Sequence, residues 1–389
     1  MQENNTIETT SKKLTIALVA GEDSGDLLGA DLIDSLKSKR PDIEFIGVGG
    51  EKMKRSGMEL ICTNKEFAIM GIAEVVKKLP KLLKLRKQII KDIIQAKPDI
   101  FIGIDAPDLN FPIEKKLKKS NIKIIHYVSP SIWAWRPKRV EKINRITDLV
   151  MTLFPFEPDY YLKSGGNAVF VGHPLAKNIS IEIDKPKSKK TLGLNPNQPA
   201  LAILPGSRSN ELKTHTDIFV KTALKMQKQN PELQIISANT NPEKIDFIKK
   251  IANQYKLNIQ VLNDATAVLK AADFALLASG TVALEAMLCK TPMVVGYKIS
   301  PITYSIVKTF KMMLLPYYSL PNVLYGDFLV DEVLQKQMSV ENLFNALSKL
   351  QKTNKHEELI ENFTILHQSL LTDKDAASRV LEFTEQCLL

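Results

Sequence analysis

Short apolar runs rich in β-branched residues recur along the chain, each followed by a turn and then by a longer stretch with helical spacing. In the first half they occupy residues 14–19, 43–48, 100–104 and 122–128. Continuous runs of this kind predict strands buried on both faces, and the stretches between them predict covering helices, which is the pattern of a parallel sheet. The rhythm breaks at residues 181–190, IEIDKPKSKK, where a polar, proline-containing segment predicts an exposed linker. It then resumes, with candidate strands at 201–204, 234–237, 259–262, 274–278 and 293–296. The predicted fold class is α/β, with two Rossmann-like, doubly wound domains separated by an interdomain cleft, the first spanning 1–180. A chain of 389 residues suits two cores, because single cores stop growing near ~250–300 residues.

In open sheets of this class ligands bind beyond the carboxyl ends of the strands, so the loops that follow them are where chemistry is sought. After the first strand comes Gly21-Glu22-Asp23-Ser24-Gly25-Asp26. It lacks the GxGxxG spacing of a dinucleotide site, and its three carboxylates would repel a pyrophosphate, so it is read as a loop for hydroxyls or an amine-bearing sugar. The same residues also suit a capped helix start near Leu27. The run 100–104 ends in Asp105-Ala106-Pro107-Asp108, where Asp105 is the candidate general base for a sugar hydroxyl, and where Asp105 or Asp108 could equally cap the next helix. Both tryptophans, Trp133 and Trp135, fall in the loop at 128–136 with Arg136. Indole faces pack on sugar rings and a guanidinium can hold a phosphate, though a tryptophan pair also serves simple packing.

In the second half, Pro205-Gly206-Ser207-Arg208 is a glycine turn opening a helix, suited to a diphosphate. Ser279, Gly280 and Thr281 repeat that logic, and Glu285 lies one turn further on, where a carboxylate can bind the paired hydroxyls of a ribose. Each loop alone also reads as helix capping.

Charge and cysteine usage narrow the partners. Lys and Arg outnumber Asp and Glu by 53 to 43, a net charge of +10 that favours phosphorylated substrates, anionic lipid or nucleic acid. Basic residues stand beside aliphatic ones and no nucleic-acid motif is present, so nucleic acid is excluded. Cys62, Cys289 and Cys387 form neither a disulfide framework nor a metal knuckle, no histidine pair has ligand spacing, and the lone DxD at 373–375 follows no strand. No metal and no cofactor are implied. His173 is read as structural, with contact to substrate as the alternative. Residues 1–13 are polar and no run of ~20 apolar residues exists, so the chain is expected to be cytoplasmic, with any membrane contact peripheral. Such contact is sought in 75–94, which carries seven basic residues against the single acid Asp92, and in Phe310-Lys311-Met312-Met313-Leu314-Leu315. Core packing is the alternative for both.

Taken together, GEDSGD at 21–26, GIDAPDLNF at 103–111, VSPSIWAWR at 128–136, FPFE at 154–157, VGHPL at 171–175, LPGSR at 204–208, ASGTVALE at 278–285 and YYSLPN at 317–322 resemble the lipid-A-disaccharide synthase family in order and spacing. The resemblance implies a GT-B fold with a UDP-sugar domain at 181–365 and a helix at 366–389 returning to the first domain or to a partner in a homodimer. It implies an inverting transfer from UDP-2,3-diacylglucosamine to 2,3-diacylglucosamine 1-phosphate, lipid X, at the inner-membrane surface. UDP would be held by Ser207, Arg208, Ser279, Gly280, Thr281 and Glu285, with Asn322 facing the donor. Asp105 would be the base, Glu22, Asp23 and Ser24 its neighbours, and Trp133 and Arg136 further substrate contacts.

Overall fold

A computed structural model describes residues 13–67, 72–135, 139–278, 280–299, 316–352 and 356–388, with backbone alone for a few positions beside the gaps, 72–79 foremost. The chain divides into two compact units, one running through Pro174 and taking up the chain again from Thr372, the other spanning Leu175–Leu371.

The first unit holds a seven-stranded sheet: β1 Thr15–Ala20, β2 Glu44–Gly49, β3 Glu59–Thr63, β4 Ile100–Ile104, β5 Lys123–Tyr127, β6 Leu149–Thr152 and β7 Ala168–Phe170. All neighbours pair in parallel, in the order β3-β2-β1-β4-β5-β6-β7. The side chains of β1 divide between two cores, as the two-residue period of a strand requires. Ile16, Leu18 and Ala20 face one core, which the C-terminal residues Ala376, Ala377, Val380 and Phe383 complete, while Ala17 and Val19 face a second with Ile89, Ile93, Phe101 and Ile113.

The second unit repeats the plan with six strands: β8 Ala200–Leu204, β9 Gln234–Ala238, β10 Gln260–Leu262, β11 Phe274–Leu277, β12 Met293–Tyr297 and β13 Asp331–Leu334. Their order is β10-β9-β8-β11-β12-β13, again parallel throughout. Lys290 and His367 form a buried polar pin in this unit. The lysine Nζ lies 2.6 Å from His367 Nδ1, and His367 Nε2–H donates to the Ala176 carbonyl at 2.9 Å. That tautomer requires a neutral ring, in keeping with burial, which lowers the pKa of the histidine and pushes Lys290 down to about 8.

Strand order locates the sites. In each sheet the winding direction reverses at one place, between β1 and β4 in the first and between β8 and β11 in the second. At such a point the two following loops turn to opposite sides and leave a crevice between them. Ala20 is paired with Ile104, and Leu204 with Leu277, so four of the loops singled out from the sequence leave their sheets at these two crevices.

Candidate functional site

The first crevice is built from the ends of β1 and β4. Glu22 sits at the N-cap of the helix Asp23–Lys39, which begins four residues earlier than the sequence predicts. The acidic loop divides by role. Asp26 is buried, and its carboxylate accepts the Gly50, Lys52 and Met53 N–H groups at 2.6, 3.1 and 3.1 Å, capping the helix Glu51–Arg55. Asp23 accepts a long bond of 3.4 Å from Asn64 Nδ2, and Ser24 is exposed. Glu22, Asp105 and Asp108 line a common pocket of about 440 Å³, whose lining also includes Phe67, Leu82, Leu83 and Arg86.

Asp105 and Ala106 both adopt left-handed backbone conformations, with φ of +49° and +41°. For residues bearing a Cβ this costs about 1–2 kcal/mol each, so the surroundings must hold them there. Three interactions do so. The Asp105 N–H donates to Tyr127 O at 2.8 Å, the Asn110 side-chain amide donates to Asp105 O at 2.8 Å, and the Asn110 N–H closes back on Ala106 O at 3.0 Å. Behind Asn110 stands a fully buried pair, Glu114 and His126, with Oε1 and Nδ1 2.7 Å apart. A Cβ on Gly103 would meet the Glu114 carboxylate, so a side chain there would push this pair away from β4. Asn110, Glu114 and His126 escape a reading based on loops alone. Asn110 lies inside the GIDAPDLNF motif, but Glu114 and His126 look like ordinary helix and strand residues until the fold joins them.

The second crevice lies at the ends of β8 and β11. Gly206 has φ +118°, and a Cβ there would strike Glu211, so the turn is open only to glycine. The helix Ser209–Gln229 follows, with Arg208 at its N-cap. Glu211 accepts the Ser207 and Arg208 N–H groups at 3.1 and 3.2 Å, and its other oxygen meets Arg208 Nη1 at 3.0 Å. His215, unremarked in the sequence, supports the turn from beneath. Its Nδ1–H donates to Pro205 O at 3.1 Å and its Nε2 accepts the Lys298 N–H at 3.2 Å. From β11 the chain passes to Gly280 and Thr281, both exposed, and to the helix Thr281–Leu288. Glu285 on that helix is partly buried, accepts the Thr266 hydroxyl and has its pKa raised by burial. Arg136 and Ser279 lie outside the described residues, as do residues 310–315.

A family model described as lipid-A-disaccharide synthetase matches residues 16–380. The lipid-A-disaccharide synthase of Pseudoalteromonas translucida is 44% identical over 376 residues, covering 95% of this chain and 97% of that one. The chain belongs to the lipid-A-disaccharide synthase family. It is an enzyme, a glycosyltransferase of lipid A biosynthesis. Two solved structures show the fold over nearly the whole length. UDP-GlcNAc 2-epimerase from Neisseria meningitidis has a TM-score of 0.64 at 12% identity, over 96% of this chain and all of that one. The calicheamicin glycosyltransferase CalG4 has a TM-score of 0.61 at 14% identity, covering 97% of this chain and 99% of that one. The two parallel α/β units are those of a GT-B protein.

Two residues of the family motifs that the sequence offered as substrate contacts are buried and hydrogen-bonded within the fold. Trp133 is 7% exposed, packs edge-on against Phe156 and donates its Nε1–H to Glu157 Oε1 at 3.1 Å, so its indole is held within the fold. Glu157 is itself buried; it accepts the Phe154 N–H as well, and burial pushes its carboxyl up to about 7. Asn322 is fully buried. Its amide donates to Val330 O and Glu332, and its carbonyl accepts the Leu329 and Val330 N–H groups, all within 3.0 Å. Both polar atoms of that side chain are engaged by the segment Leu329 to Glu332, at and just before the start of β13. His173 packs beside Phe154, with ring centroids 5.5 Å apart, and burial lowers its pKa to about 4.

The basic helix Ile72–Ala96 divides along its length. Ile89 and Ile93 are core residues, whereas Leu83 and Ile94 are each 39% exposed, and the side chains of 72–79 lie outside the described residues. Among the described residues no helix is long and apolar enough to cross a membrane.

Proposed function

We propose that the chain transfers the diacylglucosaminyl group of UDP-2,3-diacylglucosamine to a hydroxyl of lipid X, 2,3-diacylglucosamine 1-phosphate, with inversion, releasing UDP and lipid A disaccharide 1-phosphate. The observation that carries this reading is the placement of four family motifs at the two switch points, with the carboxylates Glu22, Asp105 and Asp108 in the first crevice and the glycine turns in the second.

In this reading the first unit takes the acceptor. Asp105 accepts the proton of the attacking hydroxyl as the oxygen bonds to the anomeric carbon and the bond to UDP breaks, so no covalent enzyme intermediate is needed. Glu22 shares its pocket and orients the acceptor. The second unit takes UDP. Ser207 and Arg208 meet the diphosphate with backbone N–H groups and a guanidinium, which stabilise the charge that grows on the leaving group. Glu285 binds the ribose hydroxyls, and Ser279, Gly280 and Thr281 complete the seat. The lysines of the helix Ile72–Ala96 hold the chain peripherally on an anionic membrane surface.

The test is a mass-spectrometric assay of purified protein with both lipid substrates in detergent. Disaccharide and UDP are expected in equal amounts. Asp105→Asn is expected to lower turnover by ~10²–10⁴-fold, the usual worth of a general base, while UDP binding is unchanged. Equal loss of turnover and UDP binding would remove the role given to Asp105. UDP binding without disaccharide would point to another acceptor.

A further inference from the structure

The pocket beside Asp105 contains one cation that the transfer chemistry leaves unused. Arg86, on the helix Ile72–Ala96, lines it together with the carboxylates Glu22, Asp105 and Asp108, and Leu82, Leu83 and Phe67 add apolar lining. Arg86 is half-buried, and among the described residues it makes neither an ion pair nor a hydrogen bond. Its lysine neighbours Lys81, Lys84, Lys87 and Lys91 are all exposed and behave as a solvated face. A guanidinium drawn partly out of water without a partner is costly, and the carboxylates of the same pocket do not pair with it. Carboxylates for hydroxyls, a free forked cation that can hold an anion at the side of Arg86 away from them, and an apolar lining for hydrocarbon suit a phosphorylated sugar bearing acyl chains.

We propose that Arg86 is the acceptor's phosphate clamp. It binds the 1-phosphate through its paired N–H groups, a geometry that a lysine does not offer. The sugar then spans toward Asp105, and an acyl chain leaves along Leu82 and the exposed Leu83. A pocket of about 440 Å³ holds such a headgroup but not two acyl chains as well, so the chains run outward. The assignment rests on the reading that the first unit takes the acceptor, and it selects acceptors by their phosphate.

The experiment compares the full-length protein with Arg86→Gln and Arg86→Lys, using lipid X and its phosphate-free counterpart as acceptors. Arg86→Gln is expected to raise the KM for lipid X by ~10–100-fold, the worth of a charge-assisted contact, with Arg86→Lys in between. On the phosphate-free acceptor, already poor for the parent, the variants are expected to match it within about twofold, because the contact is absent there. The donor KM, UDP affinity and melting temperature are expected to stay as they are. Equal losses on both acceptors overturn the proposal, as does an equal loss of binding to phosphatidylglycerol vesicles, which would make Arg86 part of a membrane patch. Equilibrium binding of lipid X without donor reads the same contact even if no disaccharide forms, so failure of the clamp is distinguishable from failure of the proposed reaction.

Discussion

The side-chain amide of Asn110 donates to the main-chain oxygen of Asp105 at 2.8 Å, and the same nitrogen lies 3.1 Å from Ile104 O and 3.3 Å from Val19 O. The ends of β1 and β4 therefore share one donor, and the loops carrying Glu22 and Asp105 are fixed relative to each other by a residue that faces neither solvent nor substrate. Asn110→Ala leaves these buried carbonyls short of a donor, at about 1–3 kcal/mol for each group left unsatisfied. It also removes one of the three interactions that hold Asp105 and Ala106 in their left-handed conformations. The expected result is a kcat at least ~10-fold lower, because small misplacements of a reacting group are costly, with UDP affinity unchanged. Steady-state kinetics alongside a UDP titration and a thermal melt check this. A folded variant with unchanged kcat would leave Asn110 a purely structural residue.

At the second crevice Glu211 sits where an anion would be bound, on the Ser207 and Arg208 amides and against the Arg208 guanidinium. Opposite signs are expected for the two members of this pair. Arg208→Gln removes the cation and should weaken UDP binding by ~10-fold or more. Glu211→Gln keeps an acceptor for the amides but removes a charge that repels the diphosphate, and it should tighten UDP binding by a few-fold, about 1 kcal/mol near the surface. Calorimetric titration with UDP reads both. Weaker binding on Glu211→Gln would mean that its charge is needed to shape the turn.

Burial raises Glu157 from 4.5 to about 7, and the sign of its effect on stability follows. Between these values the folded protein keeps a proton that the unfolded chain has released. Stability therefore falls as pH rises through that window, by roughly 3 kcal/mol in total, and the deficit persists above it. Glu157→Gln cannot ionise, so its stability should lack this slope. Urea melts from pH 5 to 8 on both proteins compare the slopes. Parallel curves would mean that Glu157 stays ionised within the fold.

Most strands legible in the sequence have apolar runs that the fold buries, β1, β2, β4 and β5 in the first sheet and β8, β9, β11 and β12 in the second; the edge strand β10, only partly buried, was legible as well. Those missed, β3, β6, β7 and β13, have three to five residues each, and all but β6 are sheet edges, where one side lacks a partner and the apolar run is short or diluted. Loops with chemistry were visible as residue types. How each side chain is satisfied was not, because the partner lies far along the chain. Asp26 resembles its neighbours Glu22 and Asp23 until it meets Gly50 and Met53, and Trp133 resembles a sugar platform until it meets Glu157.

The first unit closes with residues made after the second. Ala376, Ala377, Val380 and Phe383 complete its core, and the helix they belong to packs on the helix Asp23–Lys39. At ~5–20 residues per second a ribosome needs roughly ten to forty seconds to make the intervening unit. Throughout that interval the part of the helix Asp23–Lys39 that the C-terminal helix covers stays open, although the sheet beneath it is already in place, and a nascent chain stalled in the second half presents that strip as a surface for chaperones or for another unfinished copy.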